Sequence, residues 1–471
     1  MIKNNVFDWQ SFVLTTGGFV SISTFLNRES TVAKPHFNRW LVPPAALSIH
    51  LAIGQAYGFS VFNLPMTKLI GITESAPDDW KLSTLGWIFS LAIVFLGLSA
   101  AFGGTWVERA GPRKAMLASA VFFSVGFLVS SFGISIHSLP LVYLGYGVIG
   151  GIGLGLGYMA PVKTLITWFP DRPGMATGLA IMGFGGGAMI GSPLAITLMN
   201  HFKTATSLGV AETFATMGVL YFFFMMWGVL TIRVPAKGWI PDGYVPSQKV
   251  DKMITKNNVS AQNAIKTPQF YFLWFVLFLN VTAGIGVLGQ ASAMSQEMFK
   301  NRITPAAAAG FVGLLSIFNM AGRFFWSSAS DYIGRRPTYM IYFALGAVLY
   351  YLVPLTGQAQ NIFLFVAVYA VILSMYGAGF ATIPAYLSDI FGKAQVSAIH
   401  GRLLTAWSAA GIAGPALVNY IREYQISQGV PPADSYSFTM YLMAGLLVIG
   451  FICNFMVKPV APKYYSPELS V

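Results

Sequence analysis

Charged side chains are scarce: Asp, Glu, Lys and Arg supply 9% of the 471 residues, where a soluble domain carries about 25%. So little charge does not suit a surface facing water, which argues against a cytosolic enzyme. Cysteine is nearly absent. Cys453 stands alone, so the chain has no internal disulfide and no multi-thiolate metal site. The five histidines form no H-E-x-x-H pair, and neither a G-x-S-x-G elbow nor a P-loop occurs. No metal, no cofactor and no enzymatic activity are therefore expected.

What is abundant is apolar. Hydrophobic residues make up 55%, with 38 Phe and 49 Gly, and the mean hydropathy is +0.64. Crossing about 30 Å of hydrocarbon takes about 20 apolar residues. Such runs recur near 41–64, 83–106, 115–136, 139–165, 173–200 and 209–232, and again near 268–293, 305–329, 337–356, 361–386, 397–420 and 437–456. The spacing predicts an all-α membrane protein of twelve transmembrane helices in two pseudosymmetric halves. The divisions are an N-terminal cytoplasmic or interfacial segment (1–39), a first six-helix half (40–232), a linker (233–266), a second half (267–457) and a tail (458–471). The stretch Trp9 to Thr24 is moderately apolar, but Lys3 is the only basic residue ahead of it and Asp8 precedes it, which disfavours a cleaved signal peptide.

The formal charge of +12 has a topological explanation. Lys and Arg concentrate in the two termini, in the even-numbered connections and in the linker, with Lys237, Lys249, Lys252, Lys256 and Lys266. By the positive-inside rule both termini are then cytoplasmic, and nucleic acid is not a partner.

Two loops repeat. Gly104 to Lys114, after the second run, contains Glu108, Arg109, Gly111 and Arg113; Ser327 to Arg336, after the eighth, contains Asp331, Gly334, Arg335 and Arg336. Each sets a carboxylate three residues before a turn glycine, with a basic pair close behind. The glycine permits a tight turn, and the charges can latch neighbouring helix ends. Both loops resemble the cytoplasmic G-x-x-x-D-x-x-G-R-K/R motif of the major facilitator superfamily, with Glu108 for Asp, Pro112 inserted before the basic pair and Ser327 for the leading Gly. A second pair of loops narrows the resemblance. Trp168 to Gly174 carries Asp171 and Arg172 and leads into the run Gly183 to Gly187; Ala385 to Lys393 carries Asp389. Together with Gly151 to Pro161, these are similar to the oxalate:formate antiporter family, a branch related to monocarboxylate transporters. The resemblance implies a monomeric carrier of small carboxylates in a bacterial cytoplasmic (inner) membrane, with Glu108, Arg109, Arg113, Asp171, Arg172, Asp331, Arg335, Arg336, Asp389 and Arg402 as cytoplasmic gate residues. Arg402 can equally snorkel to the interface.

Ionisable groups in the hydrocarbon core are costly and therefore mark function. Arg323, about two turns before Asp331 on the eighth run, offers a fork of N–H donors for a carboxylate; the alternatives are snorkelling to the interface or pairing with Asp331. In the resembled family an arginine of this motif holds substrate carboxylate, which favours the first. Asn319 lies one turn away, where proton-coupled monocarboxylate transporters carry Asp. With no Asp or Glu in the middle of a run, exchange or uniport is expected over proton symport. His50 is the central titratable alternative, as a substrate or packing residue. The family's oxalate exchangers place a lysine where alignment puts Trp407, so a monoanion such as formate, lactate or pyruvate suits the site better than oxalate. Tyr57, Tyr158, Tyr376 and Phe380 match aromatic positions of the family's pocket. A membrane sensor without flux is the reading from another class.

Overall fold

The computed structural model describes residues 22–244, 253–300 and 302–469. Most of Trp9 to Thr24 and the linker lysines Lys249 and Lys252 fall outside the described residues. Extended structure among those residues is confined to one isolated parallel bridge, Val32 to Val234.

Membrane-length helical segments follow one another as α1 (Arg39–Met66), α2 (Leu82–Ala110), α3 (Pro112–Ser135), α4 (Leu139–Trp168), α5 (Pro173–Phe202) and α6 (Val210–Thr231). The second half supplies α7 (Pro268–Met298), α8 (Pro305–Ile333), α9 (Arg335–Gln358), α10 (Ile362–Phe391), α11 (Val396–Leu403 continued by Thr405–Ser427) and α12 (Ser437–Met456). Ten segments are apolar and long enough to cross a membrane on composition alone; α8 and α11, which carry Arg323 and His400, are the remaining two.

Helix starts follow local chemistry. Pro112, Pro173, Pro268 and Pro305 open their helices, where a missing N–H costs nothing. Thr267, Thr304 and Asn361 cap the amides of Phe270, Ala307 and Leu364. The repeated loops turn through Gly111 (φ 83°) and Gly334 (φ 92°), a left-handed region costly for a side chain. Three expected runs are less regular than a single α-helix. α1 changes at Gly54–Phe62 to tighter 3-10 winding, α4 widens at Tyr143–Gly150 to π winding, and α11 breaks at Leu404. The 3-10 stretch of α1 contains Tyr57, and the break in α11 stands three residues before Trp407.

The halves meet along α5 against α8 and α2 against α11. The connections α2–α3, α4–α5, α8–α9 and α10–α11 lie at one end, called the loop end. Linker and tail lie there too: Thr255 N–H donates to the Asp389 carbonyl (2.8 Å) and Ser466 N–H to the Asn258 carbonyl (2.8 Å).

At the opposite end Asp79 organises the α1–α2 connection. Its carboxylate accepts the N–H groups of Ile70 (2.8 Å), Gly71 (3.0 Å) and Ala76 (2.8 Å). Burial pushes this carboxyl up, but the three donors, which bind only the ionised form well, outweigh it and hold the group below its ordinary value. A depressed folded value gives stability that is full above the ordinary carboxylate range near about pH 4 and is lost as pH falls further. Asp79→Asn should open residues 67–81 to limited proteolysis at neutral pH, whereas the parent loop should open only in acid. Equal protection of both proteins at neutral pH would show that other contacts hold this loop.

Candidate functional site

Arg323 is the centre. It lies about 15 Å from the loop-end terminus of α8, by a rise of about 1.5 Å per residue, and is 0% exposed. Nε donates to Asn319 Oδ1 (3.0 Å) and Nη1 to the Ile181 carbonyl of α5 (3.4 Å), while Nη2 has no partner. The guanidinium carbon sits 5.3 Å from the Phe380 ring centroid and 5.9 Å from that of Phe184, so aromatic faces supply part of its stabilisation. Glycines make the room. A Cβ at Gly185 of α5 would stand 2.8 Å from Arg323 Nε, and one at Gly377 of α10 would stand 3.1 Å from its Cγ. The ion pairs among the described residues leave Arg323 without a carboxylate.

Around it the rings interlock. Tyr158 packs on Phe184 (5.6 Å between centroids) and Trp407 (5.5 Å), and Trp407 packs on Phe380 (4.4 Å). Tyr57 meets Phe184 edge-on (5.0 Å), and its hydroxyl lies 3.3 Å from that of Tyr376, joining the two halves. Arg323 interacts electrostatically with the hydroxyls of Tyr57 and Tyr158. Besides Arg323 Nη2, the Tyr158 hydroxyl and Trp407 Nε1 are buried. Arg323 and the Tyr158 hydroxyl lie close enough to interact with each other, and with Trp407 Nε1 they bring N–H and O–H groups into one aromatic enclosure, where a buried donor gains from an acceptor.

A cavity of about 370 Å³ lies between the halves beside this cluster. Its lining runs from Tyr57, Ser60 and Asn63 of α1 through Phe89, Ala188 and Leu288 to Ser316 and Asn319 of α8, so it occupies the side away from the loop end. Asn319 and Tyr57 form its boundary. Arg323 stands behind them and is not among the residues that line it.

At the loop end the halves are held together. Glu108 of α2 pairs with Lys163 of α4, Glu108 Oε1 accepts the Ser397 N–H (2.9 Å), and Lys163 Nζ donates to the Ala394 carbonyl (3.2 Å). Asp331 of α8 takes the N–H groups of Gly174 (2.7 Å) and Met175 (2.8 Å), capping the positive N-terminus of α5 in the other half. Arg335 holds Asp331 (2.6 Å) and Asp389 (3.1 Å) in place. The latches between halves are thus two carboxylates on backbone amides, supported by basic side chains.

The other basic candidates are placed elsewhere. Arg109 and Arg172 are exposed and make no ion pair among the described residues, and Asp171 pairs with Arg39 (2.6 Å) inside the first half. Arg113 is buried and anchors the N-terminal segment through the Phe25 carbonyl (2.6 Å) and Ser30 (3.2 Å). Arg336 donates to the Phe455 carbonyl, and Arg402 to the Ala261 carbonyl of the linker. Arg113, Arg336 and Arg402 thus hold the N-terminal segment, α12 and the linker, because the chain folds its termini and linker over the same end.

The sequence profile of the major facilitator superfamily matches residues 37–297 and 276–470. The chain belongs to the major facilitator superfamily. As a member it is a multi-pass membrane transporter and no enzyme. The oxalate:formate antiporter of Oxalobacter formigenes is 26% identical over 81% of this chain and 84% of its own length. The apicoplast pyruvate carrier 1 of Toxoplasma gondii is 23% identical over 83% and 78%. The human organic anion transporter MFSD10 superposes with a TM-score of 0.64 at 13% identity, covering 90% of this chain and all of that one, a likeness of fold.

Two residues, one in the candidate site and one in the loop-end contacts, had no place among the expected site residues. Phe184 is the one large residue inside the glycine run, a signal of a ring held where backbones approach closely. Lys163 has no acid at helical spacing on its own helix, and its partner Glu108 lies on α2, which only packing reveals. Glu108→Gln should loosen the loop end. Loss of a charge-assisted contact costs about 1.5–3 kcal/mol, so a cysteine at buried position Ser397, in a Cys453→Ser background, should react with a maleimide roughly tenfold faster or more. An unchanged rate would show that Glu108 does not hold the halves.

Proposed function

We propose that the chain carries small monocarboxylates, such as formate, lactate or pyruvate, across the membrane by alternating access, with Arg323 as the counter-ion. The observation that carries this reading is a buried arginine that has no carboxylate partner among the described residues, with Nη2 left without a hydrogen bond in an enclosure that also holds the Tyr158 hydroxyl and Trp407 Nε1. A monoanion balances that single positive charge, and its oxygens accept from the guanidinium fork, with the phenol and the indole as additional donors. Phe184 and Phe380 give an apolar wall for a short carbon chain. Oxalate, a dianion, would leave one charge uncompensated in a low-dielectric enclosure.

Exchange or uniport is favoured, since Asn319 cannot carry a proton for Arg323. A proton-coupled symport is the alternative, recognised by acidification on the trans side with substrate entry. The Lys/Arg bias supports a cytoplasmic loop end and cytoplasmic termini in an inner membrane. With the loop end latched and the cavity on the other side, the conformation is then inward-closed. The names of the antiporter and pyruvate-carrier relatives support a carboxylate substrate.

Uptake of labelled formate, lactate, pyruvate and oxalate into preloaded and empty proteoliposomes tests the assignment. A monocarboxylate should be carried, with trans-stimulation if exchange operates. Arg323→Lys should lower carboxylate uptake by roughly 30-fold or more, because a point charge loses the fork and about 2 kcal/mol or more of paired hydrogen bonding. Undiminished uptake by that variant, or no flux of any carboxylate by the parent, would overturn the reading.

A further inference from the structure

On the loop-end side of the arginine cluster stands a group that the carboxylate reading leaves without a role. His50 of α1 and His400 of α11 are 0% and 2% exposed. Both rings pack against Tyr158 of α4, with centroids at 5.4 and 5.7 Å. The Nε2 atom of each is buried. His50 Nδ1 lies 3.2 Å from the Ala46 carbonyl. The backbone of Tyr158 is a second partner of the same ring; a neutral imidazole carries a single N–H, so it serves one of these backbone groups at a time and keeps its other nitrogen able to take a proton.

The charges facing these rings are few. Arg323 of α8 and Tyr158 of α4 face His50, and His50 and Tyr158 face His400. Tyr57 lies beyond them, next to Arg323. Glu108 accepts from Ser397, three residues before His400, but is already matched by Lys163. Among the described residues α5 and α2 bring no carboxylate to either ring. Neutral imidazoles suit such an enclosure, whereas an imidazolium would be a second cation buried near Arg323 with no counter-ion. His400 belongs to the second half, while His50 and Tyr158 belong to the first. The contact of Tyr158 with His400 is therefore a seam that has to part when the loop end opens and water enters.

We propose that His50 and His400, on either side of Tyr158, form a proton-binding site that controls closure of the loop end. A proton taken from the solution on that side, once the halves have parted, holds them apart until it is released, because reclosure would bury it uncompensated. This rests on the alternating-access reading, though not on the identity of the cargo. It makes the carrier respond to acid on one side of the membrane in the range where imidazole titrates.

Distance measurement between spin labels tests this without any substrate. Labels at Thr167→Cys on α4 and Lys393→Cys beside α11, both exposed and on opposite halves, report opening in a Cys453→Ser background of the full chain in lipid nanodiscs. As pH falls through about 6.5, the ratio of the longer to the shorter distance should rise by up to about tenfold per pH unit for a single controlling proton. His400→Gln should flatten the response and His50→Gln should weaken it, with His400→Asn in reserve should the Gln variant fail to fold. A parent distribution that does not change between about pH 5.5 and 7.5, or a full response in the His400 variant, overturns the proposal. A chain that moved no carboxylate would still show this response, and one without it could still exchange carboxylates, so the two readings fail separately.

Discussion

A guanidinium sits in the middle of this bundle with no carboxylate among the described residues to neutralise it, and the surrounding structure is arranged to make that tolerable. Moving an unpaired charge out of water is among the most costly events in folding. Here it is met by an amide oxygen from Asn319, a backbone carbonyl from Ile181 and two aromatic faces. Two glycines on neighbouring helices leave space for the side chain. One donor remains unmade. That remaining demand is what an anionic cargo would satisfy, which links the stability of the empty protein to the chemistry it can carry.

The same constraint explains where the halves touch. Arg323 stands on α8, which packs against α5 of the other half, and Phe184, Gly185 and the Ile181 carbonyl all belong to that α5 face. The latch at the end of these helices uses the Asp331 carboxylate on the first amides of α5, a contact that can be broken and remade without moving a residue out of its own helix. On the other seam, α2 against α11, the Glu108 contact plays the equivalent part. Both latches come from the repeated loops, so one duplicated device closes both seams. The aromatic enclosure lies between the latches and the cavity, and the Tyr57 to Tyr376 contact separates Arg323 from that cavity.

Much of the arrangement is legible in the residues, within limits that have physical causes. Asn319 and Arg323 are four positions apart on one helix, so their hydrogen bond follows from helical spacing. The convergence of Tyr57, Tyr158, Trp407 and Phe380 has no such local signature; it brings together α1, α4, α10 and α11. The basic residues were harder still. Arg109, Arg113, Arg172 and Arg336 carry the same charge in similar loops, yet only packing separates an exposed arginine from one buried under the N-terminal segment.

The apolar runs, their length and the duplicated charged turns determine by themselves that this chain crosses a membrane repeatedly in two related halves, because hydrocarbon thickness and backbone hydrogen bonding leave few other solutions. Which donors are left open, which carboxylate reaches which amide, and how deep Arg323 is buried were decided only in three dimensions. Each of those depends on contacts between segments tens to hundreds of residues apart, and no local pattern encodes the distance between them.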